Sequence, residues 1–414
     1  MPAERSVRPW LLAALTALAP LSIDAYLPGL PQLSAQLGAS ASAAQLTLSG
    51  CLAGLALGQL AAGPVSDARG RRGPLLSGLA AFVLASLTCA LAPSVAVLVV
   101  CRFAQGATAA VAVVLARAVV ADVHEDAACA RAYARLLAVG GVVPVLAPVA
   151  GAQLLRLGSW RTILVATAVL GACLLVAVAR TLPETLAPAQ RRRLGGLRAV
   201  GAGFSTLLRD RTFAGYAALQ GFAFAAMFAY IAAAPFVVQI RYGLSPAAFS
   251  AIFACNALGI VAAAQAGRVL LRRISSDRLV RLGVAVLGAG AAGLLVALPA
   301  GSSRWLVLPS LFLVVASVGL ILPHAAAEAL AGRAPGESGS ASALLGVAQF
   351  AIGGAVTPLV GLAGERSAVP LTLVVAALAA AAAMALLRWA ARPRLLGGRD
   401  SNPDSRLQRP ESCH

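Results

Sequence analysis

A chain of 414 residues with 60% hydrophobic residues, 12% charged residues and a mean hydropathy of +0.85 is far poorer in charge than a soluble domain, where about a quarter of residues are charged. Its apolar runs of about twenty residues are too many to be the core helices of a soluble fold, so a soluble protein is excluded and a multi-pass membrane protein remains. The net charge of +18 does not point to nucleic acid, because the 33 basic residues, all arginine, lie in short blocks between apolar runs.

Taken in chain order, the runs long enough to span a bilayer fall at 10–30, 45–66, 74–91, 94–120, 134–155, 162–182, 212–240, 249–271, 279–298, 305–330, 341–363 and 370–389. The connections are short apart from one polar, basic stretch between the sixth and seventh runs. The expected division is therefore an N-terminal six-helix bundle at 1–182, a cytoplasmic linker at 183–211 and a C-terminal six-helix bundle at 212–392. A polar tail at 393–414, with Pro, Gly and Ser, reads as disordered. Arg5 and Arg8 before an apolar run look like the start of a signal peptide. That run lacks a small-residue cleavage site, and removing it would leave an odd number of spans. Placing the N-terminus in the cytoplasm puts 26 arginines inside and 5 outside, with Arg102 and Arg117 within spans. Both termini are therefore expected to be cytoplasmic. Seven cysteines, most of them inside apolar runs, show no spacing for a disulfide framework or a metal site.

The first span holds the feature around which the rest is read. Asp24 sits inside it, and a charge at the centre of a spanning helix costs roughly 2.5 to 3.5 kcal/mol on insertion scales, so such residues face protein or water and usually have a task. No other span has an acid near its middle. Pro28 and Pro31 follow and should bend or end the helix just beyond the acid. Asp24 is thus expected to couple a proton to a substrate. Arg102 in the fourth span needs an anionic or carbonyl partner. At 1.5 Å per residue, Asp24 lies about 21 Å from the inner end of its span and Arg102 about 12 Å from the outer end of its own, which in a core of about 30 Å sets them within about 3 Å in depth. Asp24 is the expected partner, with backbone carbonyls as the alternative.

Between the second and third spans runs GPVSDARGRRGP, in which Gly63 and Gly70 suit a tight turn and Asp67 sits among Arg69, Arg71 and Arg72. On charge alone it is a solvated loop that fixes topology. The fifth span carries GVVPVLAPVAGA, with Pro144, Pro148 and Gly151. The halves also read as copies: Ala25-Tyr26 recurs as Ala229-Tyr230 and Cys51 as Cys255, both at an offset of 204, and Pro148 to Gly151 matches Pro358 to Gly361. Tyr26, Gln105, Gln220, Phe222, Phe224, Phe228, Tyr230 and Asn256 are candidates to line a mostly apolar cavity. His324 and Glu328, one turn apart in the tenth span, are secondary proton candidates. No catalytic triad, zinc spacing or phosphate-binding glycine loop is present. The chain therefore reads as a non-enzyme with no cofactor.

The Gly-Asp-Arg-Gly-Arg-Arg order of the loop at 63–74 resembles the signature of the major facilitator superfamily. In that family the Asp and Arg latch the halves at the N-terminus of the eleventh helix, where Glu337 and Ser338 stand here; the matching segment at 267–273 keeps the basic residues but has no Asp, which implies a one-sided latch. RFAQGA from Arg102 is similar to the family's Arg-x-x-Gln-Gly motif. The fifth span resembles the antiporter motif of its drug exporters, although Ala147 and Ala152 replace glycines. DAYLPGLP from Asp24, ARAVVAD from Ala116, and Phe228-Ala-Tyr230 through Pro235-Phe236 resemble the Bcr/CflA subfamily of multidrug exporters. The resemblance implies an all-α membrane protein of the major facilitator fold, with twelve transmembrane helices in two six-helix bundles. It implies a single chain in the bacterial cytoplasmic membrane that exchanges a small-molecule drug for protons. Some relatives carry an acid two turns before Asp24, where this chain has Thr16, which implies a preference for neutral drugs. A proton-coupled nutrient importer and a non-transporting receptor remain as rival readings.

Overall fold

The apolar runs become helices because a chain in lipid must satisfy its backbone hydrogen bonds within each segment. The computed structural model describes residues 8–124, 126–191, 205–331 and 335–390, and among these there is helix and turn but no strand. Twelve helices are long and apolar enough to cross a membrane. The first of these spans runs over Pro9–Gln36 and the last over Val369–Arg388; their α-helical parts, in chain order, are α1 (Pro9–Asp24), α2 (Ala41–Arg69), α3 (Arg72–Ala90), α4 (Val95–Val123), α5 (Asp126–Leu157), α6 (Trp160–Thr181), α7 (Arg211–Phe236), α8 (Pro246–Leu270), α9 (Ser276–Ala297), α10 (Arg304–Leu330), α11 (Pro335–Val356) and α12 (Val369–Ala385). Six of them start on a side chain that accepts from their own first turn: Ser40, Ser94, Ser159, Asp210, Ser245 and Ser275.

Three boundaries differ from the sequence reading for definable reasons. The first span ends as α-helix at Asp24, then continues through a 3-10 turn (Leu27–Gly29) and a short helix (Leu30–Gln36). Pro28 and Pro31 each stand in a first turn, where a missing N–H costs nothing. The expected turn at Gly63 is not one: α2 runs to Arg69, and only Gly70, at φ +92°, and Arg71 make the corner. The eleventh span, expected at 341–363, begins earlier, since α11 opens at Pro335. The side chains of Glu337 and Ser338, residues 192–204 of the linker and the tail at 393–414 lie outside the described residues.

Packing repeats with a shift of six helices. α2 lies along α4 as α8 lies along α10, α3 on α6 as α9 on α12, and α1 on α5 as α7 on α11. Between the halves, α5 meets α8 and α11 meets α2, which are the same pairing under the same shift. The chain thus forms two like groups of six helices, as the offset of 204 between the tyrosine pairs anticipates. The arginine-rich helix ends define one face, called here the basic face; the other ends define the opposite face.

Candidate functional site

The α1 break sets the site. Asp24 is its last α-helical residue, is 6% exposed, and is the only buried carboxylate among the described residues. Its side chain makes no hydrogen bond or ion pair with any of them. Helix α5 closes one side: a side chain on Gly151 would run into the backbone of Ala25, so this glycine lets α5 touch α1 beside the acid. Pro148, one turn earlier, offers its carbonyl across the halves to Ser250 Oγ at 2.8 Å. Pro144 lies on the same helix, half-buried, one turn towards the basic face.

Arg102 does not pair with Asp24. Its Nη1 donates to the Ser22 carbonyl at 3.0 Å and to Gln105 Oε1 at 2.6 Å, and its guanidinium lies over the Tyr26 ring at 4.5 Å. Nε and Nη2 are buried without a partner. The depth argument placed Arg102 at the right level, between Ser22 and Tyr26, but on the wrong side of the helix. Residues 22 and 26 share a face, and residue 24 is about 200° round from 22. The arginine is turned into the interior of its own half, and the acid away from it.

That interior is a closed polar chain. Gln105 Nε2 donates to Ser86 Oγ at 2.8 Å, and Tyr26 Oη shares a hydrogen bond with Thr47 Oγ1 at 3.2 Å. Tyr26, Thr47, Ser86, Arg102 and Gln105 are all fully buried. Tyr26 and Gln105 therefore line no cavity: they connect α1, α2, α3 and α4 within one half. The other half repeats the device, with Asn256 Nδ2 on α8 donating to Tyr230 Oη on α7 at 2.7 Å. Tyr230 also stacks on Phe253 at 5.8 Å.

Towards the basic face of α7, Phe224 packs against Phe228 at 4.7 Å and edge-on against Phe350 at 5.4 Å. Gly353 on α11 leaves room for the Phe224 ring and the Cβ of Phe228. Gln220, one turn from Phe224, is buried with Oε1 lacking any partner. Phe222 is half-buried. The structure thus groups Gln220, Phe224 and Phe228 in one place and Tyr230 and Asn256 in another, with Asp24 at the α1 break. His324 belongs to neither: its Nδ1 is 2.7 Å from the Leu320 carbonyl of the previous turn, and its ring fills the space over Gly267. Glu328 lies half-buried at the basic-face end of the same helix.

At the basic face, Arg71 is the hub. It bonds Asp67 at 2.5 Å, Asp122 at 2.8 Å and Ser66 Oγ at 2.7 Å. Burial alone would lower its affinity for the proton, but the hydrogen bonds and charges of Asp122 and Asp67 more than reverse that and push its pKa up. Glu184 accepts from the backbone N–H of Arg71 at 2.7 Å and of Arg72 at 3.2 Å, capping α3 from a distant part of the chain. Partial burial opposes the charge on Glu184; these bonds, a third from Leu186 and the nearby Arg191 outweigh it and hold the carboxyl below its ordinary range. Gly70 is required twice, by its positive φ and because a Cβ there would strike the Glu184 carboxylate. Arg72 donates to the Ala179 carbonyl at 2.7 Å. Gly63, with open space around it, and the exposed Arg69 take no part. Asp122 and Glu184 were not among the site residues expected from the sequence. Their signal was two acids at span ends in a chain with 15 acids in all.

Six hydrogen bonds between described residues join the halves, and all lie towards the opposite face. They are Ser34 Oγ to Glu365 (2.6 Å), Ser42 Oγ to the Pro358 carbonyl (2.7 Å), Gln45 Nε2 to the Ala232 carbonyl (3.0 Å), Gln239 Nε2 to the Pro28 carbonyl (3.2 Å), Ser250 Oγ to Pro148, and Ser49 with Thr357. The opposite face is sealed.

Comparison with known proteins bears on this geometry. Residues 12–358 match the profile of the Major Facilitator Superfamily. The chain is 38% identical over 374 residues to an uncharacterized MFS-type transporter, YdgK, of Bacillus subtilis (strain 168), covering 89% of this chain and 91% of that one. It is 26% identical over 360 residues to a bicyclomycin resistance protein homolog of Haemophilus influenzae, covering 87% and 90%. Among solved structures, a bacterial homolog of the human lysosomal transporter Spinster, inward-facing and unoccupied, superposes with a TM-score of 0.69 at 16% identity over 94% of this chain and 96% of that one.

Proposed function

The chain belongs to the Major Facilitator Superfamily and is a membrane transporter, and on that premise we propose that it exports drug-like small molecules in exchange for protons. The observation that carries the reading is Asp24: the only buried carboxylate among the described residues, at a helix break and without a hydrogen-bond partner among them. A group so placed can hold a proton or a ligand but has no structural bond to maintain. The relative named for bicyclomycin resistance supports export of drugs, as do the motifs that resemble the Bcr/CflA subfamily. The arginine bias supports a cytoplasmic basic face, with both termini inside the bacterial plasma membrane. The sealed face is then the outer one, and the conformation is inward-facing.

In this reading the drug enters from the basic face and rests against Phe224, Phe228 and Phe350, with the unpaired Gln220 Oε1 available to a donor on it. Proton binding at Asp24 from outside releases the drug; proton loss inside readies the site for the next. Thr16 is turned to the Ala13 carbonyl at 2.8 Å and adds no second acid, which favours neutral substrates. The driving force is adequate. One pH unit supplies about 1.4 kcal/mol and 100 mV about 2.3 kcal/mol per charge, against about 2.7 kcal/mol for a hundredfold gradient of a neutral drug.

The test is drug susceptibility and energised efflux in a pump-deficient bacterium, comparing the intact protein with Asp24→Asn at matched membrane expression. The intact protein is expected to confer resistance that a protonophore abolishes, and the variant none. Equal export by Asp24→Asn would remove the acid from the mechanism.

A further inference from the structure

On the sealed face, away from the transport site, the second half carries a recess of about 520 Å³ lined by Ile240, Arg241, Tyr242, Gly301 to Arg304 and Arg366. Arg241, Arg304 and Arg366 all line it, three of the few arginines that lie away from the basic face. None of the three has a carboxylate within ion-pair distance among the described residues. Arg241 is built in: Nη1 donates to the Arg366 carbonyl at 2.5 Å and Nη2 to the Gly301 carbonyl at 2.7 Å, while its Nε is buried with no partner. Arg304 and Arg366 form no side-chain hydrogen bond with described residues. Arg304 opens α10, whose Ser303 cap gives no side-chain bond to the first-turn amides. Three arginines without an ion-pair partner among the described residues, a buried donor without a hydrogen bond and an uncapped helix N-terminus line one recess, a combination that suits an anion.

The rim says where that anion comes from. Trp305, 75% exposed, stacks under the Arg304 guanidinium at 4.9 Å, and the next residue, Leu306, is also exposed. An exposed tryptophan at the end of a spanning helix marks the level of the lipid head groups.

We propose that this recess is an anion site that takes a phosphate group, held by Arg241, Arg304 and Arg366 at the membrane surface. Arginine's planar fork suits phosphate oxygens, and the recess is roomy enough for a phosphodiester head group or a free phosphate ion. The site would also brace the seal, because Arg241 grips the carbonyl of Arg366 and the neighbouring Glu365 receives the bond from Ser34 of the other half.

The test uses the full-length protein, delipidated in detergent, with unfolding midpoint and native mass spectrometry as readouts and phosphatidylglycerol or inorganic phosphate as probes. Arg304→Gln and Arg366→Gln are the variants, singly and together. Arg241 is left intact because it holds two loops, and Arg304→Gln alone, at an exposed side chain, serves if the double variant does not fold. The intact protein should be stabilised, with about a tenfold higher probe concentration needed in the variants. A response to phosphatidylglycerol alone assigns a lipid head group; a response to inorganic phosphate as well assigns a free anion. No stabilisation by either probe, or an undiminished response in the variants, overturns the site.

Discussion

Glu184 shows how one side chain can set a corner of the molecule. Its carboxylate caps α3 and fills the space that a side chain at position 70 would need, so one acid fixes a glycine and a helix start at once. Because its folded pKa is depressed, the stability it contributes is present above the ordinary glutamate value of about 4.3 and is lost as pH falls through the folded value. Glu184→Gln should therefore cost about 1 kcal/mol at neutral pH, the scale of a lost helix cap. In unfolding scans, the gap between variant and parent should close in acid, and a gap independent of pH would show that the amide's shape matters and its charge does not. At this scale the sequence was legible in kind but not in direction. Asp24 was visible because an acid in an apolar run stands out. That Arg102 turns to Ser22 and not to Asp24 depends on which way each helix is rotated, and apolar runs nearly uniform around their circumference carry little record of that. Glu184 was hidden because its bond is to backbone 112 and 113 residues away, for which no residue pattern exists.

Between single residues and the whole stand the helix pairs, and α2 with α4 is the closest. Gly50, Gly54 and Gly58 recur every four residues along α2. A side chain on Gly54 would collide with the backbone of Phe103 and Ala107, and one on Gly58 with the Ala107 carbonyl. On the facing helix, Gly106 meets the Cys51 backbone in the same way. Lipid gives helices no hydrophobic reason to associate, so close backbone approach through small residues supplies the contact. Gly319 against Ile260 repeats the arrangement between α10 and α8. Replacing Gly54 with Val must push two backbones apart, and overpacking of this kind costs about 1 to 3 kcal/mol. Gly63 on the same helix faces open space, and Gly63→Ala should be neutral or gain up to about 1 kcal/mol from helix propensity. Opposite shifts in the unfolding midpoints of these two variants would bear out the packing; equal shifts would count against it. The small-residue spacing was available in the sequence. The loop motif next to it drew attention to Gly63, which sterics do not require, and away from Gly54, which they do.

At the scale of the molecule, the two halves touch through a layer of short polar side chains whose partners are mostly backbone carbonyls. Such bonds are modest singly, about 0.5 to 1.5 kcal/mol net, so a seal made of several can hold and still open. The span count and the sixfold shift could be read from hydropathy and the tyrosine offset. Which face is sealed could not, because it depends on bonds from side chains to backbone carbonyls far along the chain, for which no residue pattern exists. The contact of Ser49 with Thr357 offers a direct test, since it joins α2 to the end of α11. In a cysteine-free background, Ser49→Cys with Thr357→Cys should cross-link under mild oxidation. If transport requires the sealed face to open, the cross-link should abolish efflux and a reductant should restore it. Undiminished efflux from fully cross-linked protein would mean that substrate leaves without parting α2 from α11, and alternating access by separation of the two halves would have to be given up for this chain.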